Sequence, residues 1–114
     1  MLTTATDLPT VFSALADPTR IAIVERLARE GDRTAGELAE PFSISKPAIS
    51  RHLAVLEKAG LVERKIDRQW RRVSIRPEAL TMMADWLETQ RTFWTGSFDR
   101  LERLMAEQQG EDDD

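Results

Sequence analysis

The chain contains no cysteine and a single histidine, His52. Disulfides, thiolate metal sites and thiol redox chemistry are thereby excluded within one copy. A lone imidazole builds neither a histidine metal cluster nor a catalytic triad, so no metal ligands and no cofactor are assigned. There is no glycine-rich phosphate loop and no motif that sets a nucleophile beside a base, and nothing supports an enzyme. No run of about 18 apolar residues occurs, and no N-terminal segment joins a positive start to an apolar stretch. These absences describe a cytoplasmic protein with no membrane contact. The 114 residues, 41% of them apolar, suffice for one domain with a modest core. For so small a domain, pairing with a second copy is a common source of added stability.

A formal charge of −4 is unpromising for a nucleic-acid partner until it is divided along the chain. Ser45 to Arg76 holds nine Lys/Arg against three acidic residues, while the remainder holds seven against seventeen. Fields from charges farther away than roughly 8 Å are screened at physiological salt, so a local positive excess governs phosphate binding more than the total does. The competing reading is a solvated basic face with no partner.

The most informative stretch is SKPAISRHLAVLEKAGLVER, Ser45 to Arg64. Ser45 is a capping residue, and Pro47 is tolerated in a first turn, where backbone N–H groups have no helical acceptor. Ile49, Leu53 and Leu56 fall at i, i+4 and i+7 and form one apolar face, with Lys46, Ser50 and Arg51 turned away from it. Gly60 ends the helix. A short helix anchored by an apolar stripe, polar and basic outside, and trailed by a basic hairpin suits major-groove reading.

The other elements follow from local signals. Met1 to Leu8 is expected as a flexible leader, residues 9–108 as the folded domain and residues 109–114 as an acidic disordered tail. Pro9 to Ala16 reads as a short helix carrying Val11, Phe12 and Leu15. Asp17 and Pro18 open a second helix that ends near Glu30 before Gly31, with Ile21, Val24, Leu27 and Ala28 at helical spacing. Thr34-Ala-Gly-Glu37 fits a capping box for a third helix to Glu40, and Pro41 to Ile44 turns into the Ser45 helix. Leu61 to Ile66 and Trp70 to Ile75 alternate apolar with charged residues around a glycine-free Asp67-Arg68-Gln69 tip, a two-stranded hairpin. Pro77 opens a long helix to about Gln108, in which Leu80, Leu87, Trp94 and Leu101 recur every seven residues. Gly96 lies within it, either permitting close helix approach or marking a kink.

Four segments, ALADPTRIAIVERLARE (Ala14 to Glu30), TAGELAEPF (Thr34 to Phe42), the Ser45 to Arg64 stretch and WRRVSI (Trp70 to Ile75), carry a resemblance to the ArsR/SmtB family of bacterial repressors. It covers roughly residues 10–105. The resemblance implies a dimeric winged helix-turn-helix, mainly α with a small β-hairpin. Its recognition helix is the Ser45 helix, and its long C-terminal helix lies at the dimer interface. Metal-sensing members carry cysteines in the helix that here reads Glu37-Leu38-Ala39-Glu40, or Asp, His and Glu pairs on the last helix. This chain has no cysteine in the first place and no histidine in the second, and Asp85, Glu88, Asp99 and Glu102 read as solvated surface. It resembles the branch without those metal sites.

Candidate DNA contacts are therefore Ser45, Lys46, Pro47, Ser50, Arg51 and His52 on the recognition helix and Arg64, Lys65, Arg68, Arg71 and Arg72 on the wing. Lys46 and Ser50 are assigned to base edges because they lie near the N-terminal end of the helix. Ser45 is a cap first. Arg51 contacts DNA or forms a salt bridge, and His52 contacts DNA or packs beside Leu53. In an alternating hairpin about half the wing cations can face a duplex, Arg68 at the tip being the freest. Trp70 is expected to pack the wing against the body. A dimer seam is assigned to Leu80, Leu87, Trp94, Phe98 and Leu101, with Val11, Phe12 and Leu15 beside it. The aromatic residues Trp86, Phe93, Trp94 and Phe98 read as core or interface, the other reading being an effector pocket, and no effector is assigned. The expected function is an autoregulatory repressor that binds an inverted-repeat operator in double-stranded DNA as a homodimer. The alternative is a winged-helix protein-interaction module without specific DNA binding.

Overall fold

The first four helices each begin at a side-chain cap written in the local sequence. In a computed structural model, which describes residues 7–112 and the last three of these by backbone alone, α1 (Leu8–Leu15) starts where the Asp7 carboxylate accepts the Thr10 N–H at 2.9 Å. Asp17 Oδ2 accepts from the N–H groups of Thr19 and Arg20, at 2.9 and 3.0 Å, to open α2 (Pro18–Glu30). Thr34 and Glu37 form the expected reciprocal capping box of α3 (Ala35–Ala39), and Ser45 Oγ accepts the Ala48 N–H at 3.2 Å to start α4 (Lys46–Lys58). Each cap satisfies backbone donors that the first turn of a helix leaves unpaired. Gly31, at φ 85°, and Gly60, at φ 80°, take the left-handed backbone that ends α2 and α4.

The structure divides into two compact units, one ending at Met82 and one beginning at Met83. In the first, β2 (Val62–Asp67) and β3 (Trp70–Ile75) form the expected hairpin, displaced by one residue on its first strand. A third strand, β1 (Arg33–Thr34), pairs antiparallel with the far edge of β3, giving the order β1-β3-β2. Two residues are too few to show a period-two pattern, which is why sequence periodicity misses this strand. The turn holds Arg68 at φ 61°, doing the work usually given to glycine.

The core is built from fully buried Val11, Leu27, Leu38, Leu53, Leu56 and Val73, drawn from α1 to α4 and the sheet. Three expectations are corrected here. On α2 the buried stripe is Ile23, Val24 and Leu27, with Ile23 at 1% exposure and Ile21 at 42%. Val11 is 0% exposed, because α1 packs on α2 and α4 and turns it into this core, which removes it from a dimer seam. Trp70 is 54% exposed near the hairpin tip and does not pack the wing against the body.

The last helix, α5 (Pro77–Asp112), begins in the first unit, where Ala79 is buried, and forms the whole of the described second unit. It runs four residues beyond the expected Gln108, so the tail expected at 109–114 is helical as far as Asp112. Residues 1–6 of the expected leader and residues 113–114 of the expected tail lie outside the described residues. Gly96 interrupts nothing, and a Cβ there would meet no atom within 4 Å. Leu87, Trp94, Phe98, Leu101, Leu104 and Met105 are each at least half exposed. Trp94 touches Phe93 edge-to-face at 5.8 Å and Phe98 at 6.1 Å. Among the described residues no helix is long and apolar enough to cross a membrane.

Candidate nucleic-acid interface

Burial sets the rotation of α4. Ile49, Leu53 and Leu56 are at most 3% exposed, so this face is held in the core as the spacing anticipates. Pro47 and Arg51 consequently stand exposed on the other side, while Lys46 and Ser50, also exposed, flank the stripe, Lys46 one heptad before Leu53. Ser45 Oγ is engaged by its own helix through Ala48 N–H, leaving its capping role primary.

The hairpin register sorts the wing cations by face. Ile66 lies opposite Arg71 and Arg64 opposite Val73, so Arg64, Ile66 and Arg71 share one face. Lys65 lies opposite Arg72 on the other face, with Asp67 and Trp70. Arg64 is tied inward: its Nη2 donates to the Ser50 main-chain oxygen at 3.1 Å, and its Nε lies 3.5 Å from Glu57 Oε1, attracted to it without a hydrogen bond. Arg72 pairs with Asp67 at 3.4 Å and Lys65 with Glu63 at 3.9 Å. Among the described residues Lys46, Arg68 and Arg71 have no carboxylate partner within ion-pair range. These three are exposed and carry their full charge to any phosphate nearby.

Lys46, Ser50, Arg64, Arg71 and Arg72 border one concavity, formed where α3, α4 and the sheet meet. Arg51 and His52 border a different, shallower one with Arg20 and Ala48. The candidate residues thus separate into two groups on either side of α4. His52 is half-buried, with Nδ1 3.4 Å from Arg20 Nη1 and 3.9 Å from Asp17 Oδ2. A guanidinium only donates, so the Arg20 contact requires Nδ1 to be the unprotonated ring nitrogen. Of the two roles left open for His52, this contact is the packed one. Arg20 itself escaped the sequence reading. Its Nε donates to Ala14 O at 2.6 Å, joining α1, α2 and α4, and its position three residues after the Asp17 cap was the available signal.

Two capping carboxylates, Asp17 and Glu37, are held ionised chiefly by main-chain donors. The Arg20 N–H, then the Arg20 charge and the Thr19 N–H, lower the Asp17 carboxyl below its ordinary range against a partial desolvation. The Thr34 N–H and hydroxyl, helped by Arg33 and Arg26, do the same for Glu37. Among the described residues no group of three His, Cys, Asp or Glu side chains could hold a metal ion.

Residues 15–65 match the family model of a helix-turn-helix domain. The chain is 40% identical to the transcriptional repressor SdpR of Bacillus subtilis over 77 residues, 68% of this chain and 84% of that protein. It is 39% identical to the HTH-type transcriptional regulator Rv2034 of Mycobacterium tuberculosis over 101 residues, 89% and 90% of the two chains. The solved structure of an ArsR-like transcriptional regulator from a Rhodococcus species is 31% identical and superposes with a TM-score of 0.72, covering 84% of this chain and 90% of that one.

Proposed function

The chain belongs to the ArsR family of winged helix-turn-helix transcriptional regulators, and on that premise we propose a repressor that occupies an inverted-repeat operator as a homodimer. The observation that carries this reading is the convergence of Lys46 and Ser50, exposed on α4, with Arg71 on the wing around one concavity. Lys46 and Ser50 reach base edges in the major groove, and Arg68 and Arg71 neutralise phosphates alongside. The named relatives are transcriptional regulators, and the reading contains no catalytic step. It places the protein with chromosomal DNA, hence in the cytoplasm.

Two-fold pairing is supported by the apolar side chains at seven-residue spacing on α5. Leu87, Trp94 and Leu101 stand half exposed, and a second copy of the helix would remove them from water. Covering the exposed half of each contributes roughly 1 kcal/mol, about half the value for full burial. Such a dimer sets two recognition helices roughly 34 Å apart, one turn of the duplex, and so requires a two-fold symmetric site. Repression then follows from occupying a promoter. A footprint on the DNA upstream of the protein's own gene tests this, the expected result being protection of an inverted repeat at nanomolar protein. Absence of any sequence preference in that experiment, with a folded protein, would favour the interaction-module alternative instead.

A further inference from the structure

Beside the recognition helix lies a half-open cavity of about 670 Å³ with an apolar floor and a basic rim. Ala39 of α3 and Phe42 of the following turn make its accessible apolar surface, over the buried side chains of Ile49, Leu53 and Val73. Lys46, Arg64 and Arg71 stand at the rim, with Glu40 as the one carboxylate. Arg72 also lines the cavity, with its guanidinium paired to Asp67. The volume falls inside the range of small-molecule sites, which bury a ligand on apolar walls and orient it with a few polar groups.

The chemistry of the lining narrows the ligand. Lys46 and Arg71 have no carboxylate partner among the described residues, and Arg64 Nε is buried without a hydrogen bond. A neutral apolar molecule would leave Lys46 and Arg71 without a counter-charge, while Arg64 already has Glu57 beside it. A phosphate without an apolar body, the DNA backbone included, would leave the floor wet. A carboxylate on a hydrophobic body satisfies both. The α3 wall leaves room for such a body. Gly36 lines the cavity, and a Cβ there would meet only Thr34 Oγ1 at 3.9 Å, with no positive φ to demand glycine. Neither backbone nor packing requires so small a residue there, and with Ala35 and Ala39 it keeps the space open.

We propose that this cavity binds a small hydrophobic carboxylate and that its occupancy opposes DNA binding. The coupling rests on the DNA-binding reading above, because Lys46 and Arg71 serve both ligands. A carboxylate seated between them withdraws their charge from phosphates, and by linkage DNA weakens the carboxylate to the same extent.

The probe is 2-naphthoate, with the isosteric neutral 2-naphthamide as its control, titrated by calorimetry into the full chain without DNA. One naphthoate should bind per chain, and the amide about tenfold more weakly or worse. Gly36→Leu and Ala39→Phe, which fill the cavity from α3, should each weaken naphthoate about tenfold while leaving affinity for the footprinted DNA within about twofold. In the wild-type chain, nuclear Overhauser contacts from the naphthalene ring should fall on Phe42 and Ala39. Saturating naphthoate should lower DNA affinity about tenfold, and should not do so in the filled variants. No saturable binding, equal binding of the amide, or ring contacts on α5 in place of Phe42 would overturn the site. Naphthoate binding with DNA affinity unchanged would overturn the coupling. Should the ligand-free protein bind no DNA, the repressor reading fails, while calorimetry and ring contacts still decide the site.

Discussion

Arg64 on β2 and Ser50 on α4 are joined by a hydrogen bond from the arginine Nη2 to the serine main-chain oxygen, at 3.1 Å. This contact fixes the wing against the recognition helix at the level of a residue proposed to read bases. It gives Arg64 a positioning role that a phosphate-binding cation lacks. Arg64→Lys keeps the charge and loses the fork that spans Ser50 and Glu57. It should lower stability by about 1 kcal/mol and weaken binding to every DNA sequence. Thermal unfolding and gel shifts check this, and full rescue by lysine would reduce Arg64 to a point charge.

Lys46→Ala and Ser50→Ala should each weaken operator binding by about 1–3 kcal/mol while sparing weak nonspecific binding. Both side chains are exposed and flank the buried Ile49 and Leu53 stripe of α4, on the side that faces the concavity. Titration against the operator and against scrambled DNA is the measurement. Wild-type affinity in both variants would remove this end of the helix from base reading.

Replacing Arg68 and Arg71 together should reduce the slope of log affinity against log salt by about two, with a similar loss for any sequence. Lys65 and Arg72 are already paired with Glu63 and Asp67, so their joint replacement should change the slope less. Equal slopes for the two double variants would show that the carboxylates let go on DNA.

Trp94→Asp should convert the protein to a monomer and abolish operator binding, because the seam would bury an unpaired charge. Trp94 is 56% exposed within one chain, so the substitution should leave the helix content of the monomer intact. Light scattering and circular dichroism distinguish the outcomes. A variant that remains dimeric would place the two-fold contact elsewhere.

The Asp17 cap should make stability depend on acid. Its carboxyl is lowered in the folded protein, chiefly by the Arg20 N–H, so the stabilisation is complete above the ordinary carboxylate value of about 4. It is lost as pH falls through the lowered folded value. Asp17→Ala should therefore melt earlier than wild type at pH 7, with the gap closing in strong acid. Melting curves across pH check this, and a gap that persists after protonation would assign the effect to packing.

Much of this protein was legible before its structure, for local physical reasons. A cap acts on donors two or three residues away, so Asp17, the Thr34–Glu37 box and Ser45 start their helices from their own sequence. The stripe Ile49-Leu53-Leu56 likewise determines which side of α4 faces out, and with it the exposure of Pro47 and Arg51. Tertiary packing decided what depends on distant neighbours. The apolar residues of α2 allow two stripes, and only the surrounding helices select Ile23 over Ile21. Strand β1 exists because β3 offers it a free edge, and Val11 is core because α1 lies on α2 and α4. Which wing cations remain unpaired was settled by carboxylates across the hairpin and on α4, since a charge is neutralised by whatever lies within a few ångströms, wherever that residue falls in the sequence.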